Sequence, residues 1–261
     1  VALNSGTSAI HLSLHLLRVG TGDEVICQSF TYIATTNPIL YLGGTPIFVD
    51  SEKDTWNMCP LSLEHAIKSR LAKGKKPKAI IVVNLFGMPA NWPEISRISR
   101  KYDIPVLEDA AESVGSKIGD RFTGTFGDLA IYSFNGNKII STGGGGALLT
   151  NNRFWDKNAR YLSTQAKLDF PYFEHMEMGF NYKMNNLSAG IGLAQLAVLD
   201  ERIERRRGIY DYYKKHLEML PGISFLKEPQ GYFSNRWLTT MVLDPSMTGF
   251  QASDLRELLL S

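Results

Sequence analysis

One lysine in this sequence has the surroundings of a reactive amine. Lys138 lies in LAIYSFNGNKIISTGGGGALLT, residues 129–150, after an apolar run that reads as a buried strand and before four consecutive glycines at 143–146. A lysine held between a buried strand and a glycine run meets a ligand with its charge poorly solvated. Burial disfavours the ammonium and yields the neutral amine that attacks a carbonyl. Ser133, five residues upstream, offers a hydroxyl to an anion. The glycines allow close backbone approach near the lysine. They are not a phosphate loop of the GxxxxGK[ST] type, because the lysine precedes them. Taken alone, such a lysine is more often a solvated residue of a hairpin turn, so its neighbours decide.

The first neighbour is Asp109, in YDIPVLEDAAESVGS. Residues 104–107 read as a short buried strand with Glu108 and Asp109 at its carboxyl end, where open α/β sheets bind ligands. An acid there can hold a protonated heteroaromatic nitrogen through a charge-assisted hydrogen bond. Pyridoxal phosphate needs such a partner, because the protonated ring nitrogen makes the ring an electron sink. The same acid would serve equally well as the N-cap of a following helix, and the residues leave both roles open. Glu112, three residues on, shares a face with Asp109 if the chain turns helical there.

The second neighbour is the opening, VALNSGTSAIHLSLHLL. A strand end runs into Asn4-Ser5-Gly6-Thr7-Ser8 and then into a mostly apolar helix. Small hydroxyl residues with glycine at a helix start present N–H groups to phosphate, although ordinary helix caps favour the same residue types. His11 and His15 have the i, i+4 spacing of a metal pair. No third ligand and no HExxH motif accompany them, so no metal site is expected.

The elements that must position these residues follow an α/β pattern. Short apolar runs at 24–27, 46–49, 79–83, 105–107 and 129–134 alternate with helical stretches at 61–73 and 93–101. That alternation marks a mainly parallel sheet flanked by helices. Residues 139–140 and 147–150, joined through the glycines, are expected to add a hairpin. Apolar positions at Leu187, Ile191, Ala194, Leu196 and Leu199 predict a long helix over 185–220, broken near Asp200 and ended by Pro221-Gly222. Beyond it, ISFL and WLTTMVLD read as strands and SDLRELLL as a helix. The expected organisation is a large ligand-binding domain at 1–184, an interdomain helix at 185–220 and the start of a small C-terminal α/β domain at 221–261. No internal repeat or low-complexity segment is evident.

Composition narrows the function classes. With 261 residues the chain can bury a large core. A net charge of +2 with both signs interspersed offers no case for nucleic acid. The basic stretches at 73–78 and 202–207 are short, and read as a loop and a solvated helix face. Only Cys27 and Cys59 occur, so a reducing cytoplasm is the expected compartment. No signal peptide and no membrane-length apolar run is present, and a soluble protein with no membrane partner is expected. The chain opens at Val1 in mid-strand and stops after one helix of its small domain, so it is expected to be incomplete at both ends.

The segments NSGTSAIHL, SFTYIATTNPILYLGGTPIFVD, VLEDAAES, YSFNGNK and MGFNYKMNNLSAGIGLAQL, in that order, resemble the DegT/DnrJ/EryC1/StrS sugar aminotransferases. The likeness covers nearly the whole chain. It implies the fold type I architecture of pyridoxal 5′-phosphate enzymes, with Lys138 as the Schiff-base lysine and Asp109 as partner of the pyridine nitrogen. Glu112 would lie near the cofactor's phenolic oxygen, a place the family fills with Gln, His or Glu. Gly6, Thr7, Ser8 and Ser133 would hold the phosphate, and Tyr32 would stack on the ring, although by itself it reads as an ordinary strand or core tyrosine. Asn181 matches the asparagine that reaches the neighbouring subunit's cofactor, which implies a homodimer with shared sites. Lys183 stands where arginine is common in the motif, and its role stays open.

YSFNGNK and the STQA run at 163–166 look most similar to enzymes that aminate C4 of UDP-linked 4-keto-6-deoxy-N-acetylhexosamines for surface glycans. The implied reaction carries an amino group from L-glutamate to a nucleotide-linked keto sugar. Amination at C3 of a dTDP-linked sugar is the nearest alternative. A sugar dehydratase of the same fold would carry histidine in place of Lys138, and a non-catalytic regulator would have no need of the intact lysine, acid and phosphate motifs. A segment before Val1 and a longer C-terminal domain are usual in the family and help to close the substrate site.

Overall fold

The AIIVV run at 79–83 is apolar throughout, the signature of a strand covered on both faces, and it lies near the middle of the sheet. The computed structural model describes residues 1–260. In chain order its elements are β1 (Ala2–Leu3), α1 (Gly6–Leu16), β2 (Glu24–Gln28), α2 (Asn37–Tyr41), β3 (Thr45–Val49), α3 (Pro60–Ala72), β4 (Ala79–Val83), α4 (Trp92–Tyr102), β5 (Val106–Asp109), β6 (Lys117–Ile118), β7 (Arg121–Phe122), β8 (Leu129–Ser133) and β9 (Gly146–Leu149). These are followed by α5 (Arg153–Ser163), α6 (Asn186–Leu196), α7 (Leu199–Leu217), β10 (Ile223–Phe225), β11 (Tyr232–Phe233), β12 (Met241–Leu243), α8 (Pro245–Thr248) and α9 (Ala252–Leu260).

Seven strands form the main sheet in the order β1-β9-β8-β5-β4-β2-β3. The pairs from β8 through β5, β4 and β2 to β3 are parallel, and β9 is antiparallel to both β8 and β1. Side chains alternate across the sheet with period two. Val25, Cys27, Ala79, Ile81 and Leu107 pack with α1 and α5 on one face. Ile26, Ile80, Val82 and Val106 pack with Leu63, Ile67, Trp92, Ile95 and Ile98 of α3 and α4 on the other. The carboxyl ends of the parallel strands are thereby left as one open edge between two helical layers.

The structure moves several expected boundaries. The 139–140 segment forms no strand: Ile139 and Ile140 are buried with Val114, Ile203 and Trp237, and β9 pairs directly with β8. The long helix breaks at Ala197-Val198, earlier than Asp200. Only Met241–Leu243 of WLTTMVLD is extended, pairing with β10, because Trp237 is drawn into the core. β11 joins β6, which pairs with β7, so the chain beyond Pro221 is stitched to the connection between β5 and β8. Among the described residues no helix is long and apolar enough to cross a membrane.

The start of α1 is pressed onto β9. A Cβ on Gly146 would stand 2.5 Å from the Ser5 carbonyl carbon and oxygen and 2.6 Å from the Gly6 nitrogen, all backbone atoms that cannot yield. Gly144 has open space around it. Gly146→Ala should therefore lower unfolding stability by about 2 kcal/mol, against a change within about 0.5 kcal/mol for Gly144→Ala. Urea titration of the two variants beside the parent chain measures both.

Candidate active site

Five segments converge at the carboxyl end of the sheet: the start of α1, the 31–35 turn, the end of β5 with its following turn, the end of β8 with the turn to Lys138, and the 234–237 turn. They line a cavity of about 380 Å³. Ser5 sits in extended backbone and its Oγ accepts the Ser8 N–H at 3.0 Å, which caps the helix. The N–H groups of Gly6 and Thr7 come first in the helix, where no intrahelical acceptor exists, and both residues line the cavity. Gly6 is needed there: a Cβ would stand 2.9 Å from the Cβ of Ser133 at the end of β8.

Asp109 is the last residue of β5 and is buried. Thr35 Oγ1 donates to its Oδ2 at 2.8 Å and the Ala111 N–H to its Oδ1 at 3.2 Å. Burial pushes its carboxyl above the ordinary range, and these two bonds and the Lys138 charge only partly offset that. The helix-cap role does not arise, because turns follow Asp109 until β6. Those turns still bring Glu112 to the same cavity. Its Oε2 accepts the Phe86 N–H at 2.7 Å and its Oε1 lies 3.5 Å from Lys138 Nζ. Phe86 presents that N–H from a left-handed backbone, φ 56°.

The Lys138 side chain is 11% exposed, so the solvated-turn reading fails. The turn that carries it closes with the Lys138 N–H donating to Asn135 O at 3.0 Å. Its Nζ lies 4.2 Å from the centroid of the Trp237 ring. Tyr32 stands at the mouth, 70% exposed, with its face free to meet a ligand.

Seven of the residues singled out from the sequence thus line one cavity: Gly6, Thr7, Tyr32, Asp109, Glu112, Ser133 and Lys138. Ser8 and Asn181 do not. Ser8 is turned to Ser5, with the two hydroxyls 2.8 Å apart. Asn181 is exposed, forms a bridge with Thr164, and its carbonyl accepts Asn4 Nδ2 at 3.2 Å. His11 and His15 pack on Phe180, and His11 Nδ1 lies 3.1 Å from Tyr182 Oη. The sequence reading missed Thr35 and Trp237. Thr35 had a signal, since it falls one helical turn after Thr31 with their hydroxyls 2.8 Å apart; Trp237 was hidden in an apolar run that read as a strand.

The model of the DegT/DnrJ/EryC1/StrS aminotransferase family matches residues 1–260. The chain belongs to that family. A relative from Bacillus subtilis (strain 168), named "Putative pyridoxal phosphate-dependent aminotransferase EpsN", is 50% identical over 249 residues, covering 95% of this chain and 64% of its own length. GDP-perosamine synthase of Escherichia coli O157:H7 is 39% identical over 240 residues, 92% of this chain and 64% of that protein. The chain therefore spans about two-thirds, 64%, of these relatives. A crystal structure of a DegT/DnrJ/EryC1/StrS aminotransferase from Brucella abortus superposes with a TM-score of 0.90 at 30% identity, covering 98% of this chain and 68% of that one. The mainly parallel sheet between helical layers is the fold of that family member.

Burial raises the Glu112 carboxyl more than Lys138 and the Phe86 N–H lower it. The folded chain therefore keeps this proton to a higher pH than the unfolded chain does. The stability that Glu112 contributes is full below the ordinary carboxylate range and is lost as pH rises through its raised folded value. Glu112→Gln removes that loss. Urea unfolding of the cofactor-free proteins should show the variant gaining stability relative to the parent from pH 4 to pH 7; a gap that shrinks with pH would contradict the assigned direction.

Proposed function

We propose that this chain forms the cofactor-binding part of an aminotransferase that moves an amino group from L-glutamate to a nucleotide-linked keto sugar, with pyridoxal 5′-phosphate as cofactor. The finer reading is C4 of a UDP-linked 4-keto-6-deoxy-N-acetylhexosamine. The observation that carries the proposal is the pairing of a sheltered amine, Lys138, with a buried carboxylate, Asp109, across one cavity. The residues fit the cofactor. Asp109 is a buried acid aimed at ligand space, and the tight Gly6–Ser133 contact leaves the first amides of α1 facing that space for a phosphate.

When bound, pyridoxal phosphate supplies a carbonyl carbon open to attack by an amine and a ring that withdraws electrons from the carbon being deprotonated. The protein's residues do the rest. Lys138 would hold the cofactor through its carbonyl carbon, and its freed amine would take a proton from one reacting carbon and return it to the other. Asp109 would accept a hydrogen bond from the ring nitrogen and keep it protonated, with Thr35 Oγ1 fixing the carboxylate's orientation. Glu112 would face the phenolic oxygen, Tyr32 would cover the ring, and Gly6, Thr7 and Ser133 would hold the phosphate, while Ser8, which the sequence also offered for it, is turned to Ser5. Trp237, buried and packed over Lys138 Nζ, would keep bulk water from that side of the amine.

The second half of the proposal is a homodimer, in which Asn181 reaches the site of the other copy. Helix α6 supports it: no residue of that helix is buried, and Leu187, Ile191, Leu193 and Leu196 are exposed. The divisions at 184 and 220 and the cytoplasmic location belong to the same reading; the location is supported by two free cysteines.

The experiment mixes the purified protein with pyridoxal phosphate, glutamate and a panel of UDP-, GDP- and dTDP-linked 3-keto and 4-keto sugars. Mass spectrometry then identifies which sugar gains an amine. Lys138→Ala should abolish turnover and, after borohydride reduction, leave no cofactor on the peptide at 138. Asp109→Asn should keep the fold and lose roughly three orders of magnitude or more in rate, about 4 kcal/mol of transition-state stabilisation. An active Lys138→Ala protein would end the proposal.

A further inference from the structure

The 234–237 turn lies far along the chain from the lysine it meets, and no sequence motif drew attention to it. The Trp237 indole face lies 4.2 Å from Lys138 Nζ. Its Nε1–H donates to the carbonyl of Asn137 at 2.8 Å, so the ring is fixed to the same turn that carries the lysine. The approach of the turn is equally constrained. Trp237 N–H donates to Asn235 Oδ1 at 2.9 Å, and Asn235 Nδ2 donates to the carbonyls of Glu112 at 3.0 Å and Val114 at 2.9 Å. Arg236 between them sits in left-handed backbone, φ 51°, a conformation that non-glycine residues hold only where the surroundings impose it. From the other side Arg207 of α7 donates to Ser234 O at 2.6 Å and pairs with Glu228, whose Oε1 accepts the Ser234 N–H at 2.6 Å.

We propose that Trp237 is a positioning residue for the Lys138 amine: its π face holds the ammonium against Glu112, so that the 234–237 turn completes the site. The inference takes Lys138 as the reactive amine, as the proposed function does. Three groups face that Nζ from three elements: the Glu112 carboxylate at 3.5 Å, the Asp109 carboxylate through its field, and the Trp237 ring. An aromatic face attracts a cation and not a neutral amine. The ring therefore steadies the amine while it is free of a carbonyl and charged. A residue serving only to fill the core would need volume and no particular electronic character.

Fluorinated tryptophans separate these roles, since fluorine weakens the π face with little change of shape. Trp237 is the one tryptophan with a lysine or arginine over its ring among the described residues. The whole chain, cleared of carbonyl ligand with hydroxylamine and dialysed, is trace-labelled with acetic anhydride between pH 6 and pH 11 and read by peptide mass spectrometry. Lys138 acetylation at pH 7 should rise stepwise with fluorine number, reaching about threefold with the trifluoro residue, and the profiles should converge at high pH. Lys101, which lies over Tyr102, is the internal control and should not change. Trp237→Phe should stay within about twofold of the parent, whereas Trp237→Leu should match or exceed the trifluoro chain.

Lys138 labelling that ignores fluorine number overturns the proposal, and the isosteric series decides this even if the leucine variant does not fold. Borohydride trapping of pyridoxal phosphate on a different lysine would instead remove the functional reading, while the labelling series would still decide the role of Trp237.

Discussion

The constraint on which the site depends is a carboxylate buried at the end of a parallel strand. Taking an ionised carboxyl out of water is costly unless hydrogen bonds or an opposite charge replace its hydration. β5 buries two such groups side by side, Glu108 and Asp109, and consecutive strand residues point to opposite faces. Glu108 accepts from Asn84 Nδ2 and from the N–H groups of Gly124, Phe126 and Gly127. Its oxygens are fully used in tying β5 to the connection that leads to β8. Asp109 receives one hydroxyl and one N–H and faces open space beyond them. Burial raises the proton affinity of both carboxyls, and for Asp109 these two bonds and the Lys138 charge offset it only in part. A ligand N–H entering the cavity would meet this carboxyl directly.

The reversal of β9 gives the cavity its opposite wall. Because β9 runs antiparallel to β8, the chain must leave the end of β8, turn, and return along it. The turn carries Lys138 back over the carboxyl edge of the sheet, and Ile139 and Ile140 anchor it from below. The return strand then presses Gly146 onto the start of α1. One reversal thus places the amine, the Ser133 hydroxyl and the leading amides of a helix around the same space.

Much of this was legible in the sequence, and the failures have physical causes. The parallel strands were readable because strands covered on both faces are runs of apolar residues, as in AIIVV at 79–83. Lys138, Asp109, Gly6 and Ser133 were readable because each sits where a strand or helix ends, and sequence marks such ends with glycine, serine and acids. The distinction between Glu108 and Asp109 was not readable, since it depends on which face each side chain meets. The 139–140 pair looked like a strand because burial and extension leave the same apolar signature over two residues. Trp237 failed for the same reason inside WLTTMVLD: an apolar residue in an apolar run does not reveal that its indole N–H is bonded to Asn137, 100 positions earlier. Contacts made at that separation follow from the fold alone.

The cluster of Arg207, Glu228 and the buried Arg236 and Tyr210 explains how so distant a segment is held at the site. Arg207 pairs bidentately with Glu228, at 2.5 and 3.2 Å, a geometry that fixes orientation as well as distance. Arg236 lies with its guanidinium carbon 3.8 Å from the Tyr210 ring centroid and donates to Leu226 O at 2.8 Å. The ring contact ties the 234–237 turn to α7, while Ile203 of the same helix packs with Ile139, Ile140 and Trp237. α7 therefore packs against both the turn that carries the amine and the turn that carries the indole. The 234–237 turn and α7 are then structural components of the site.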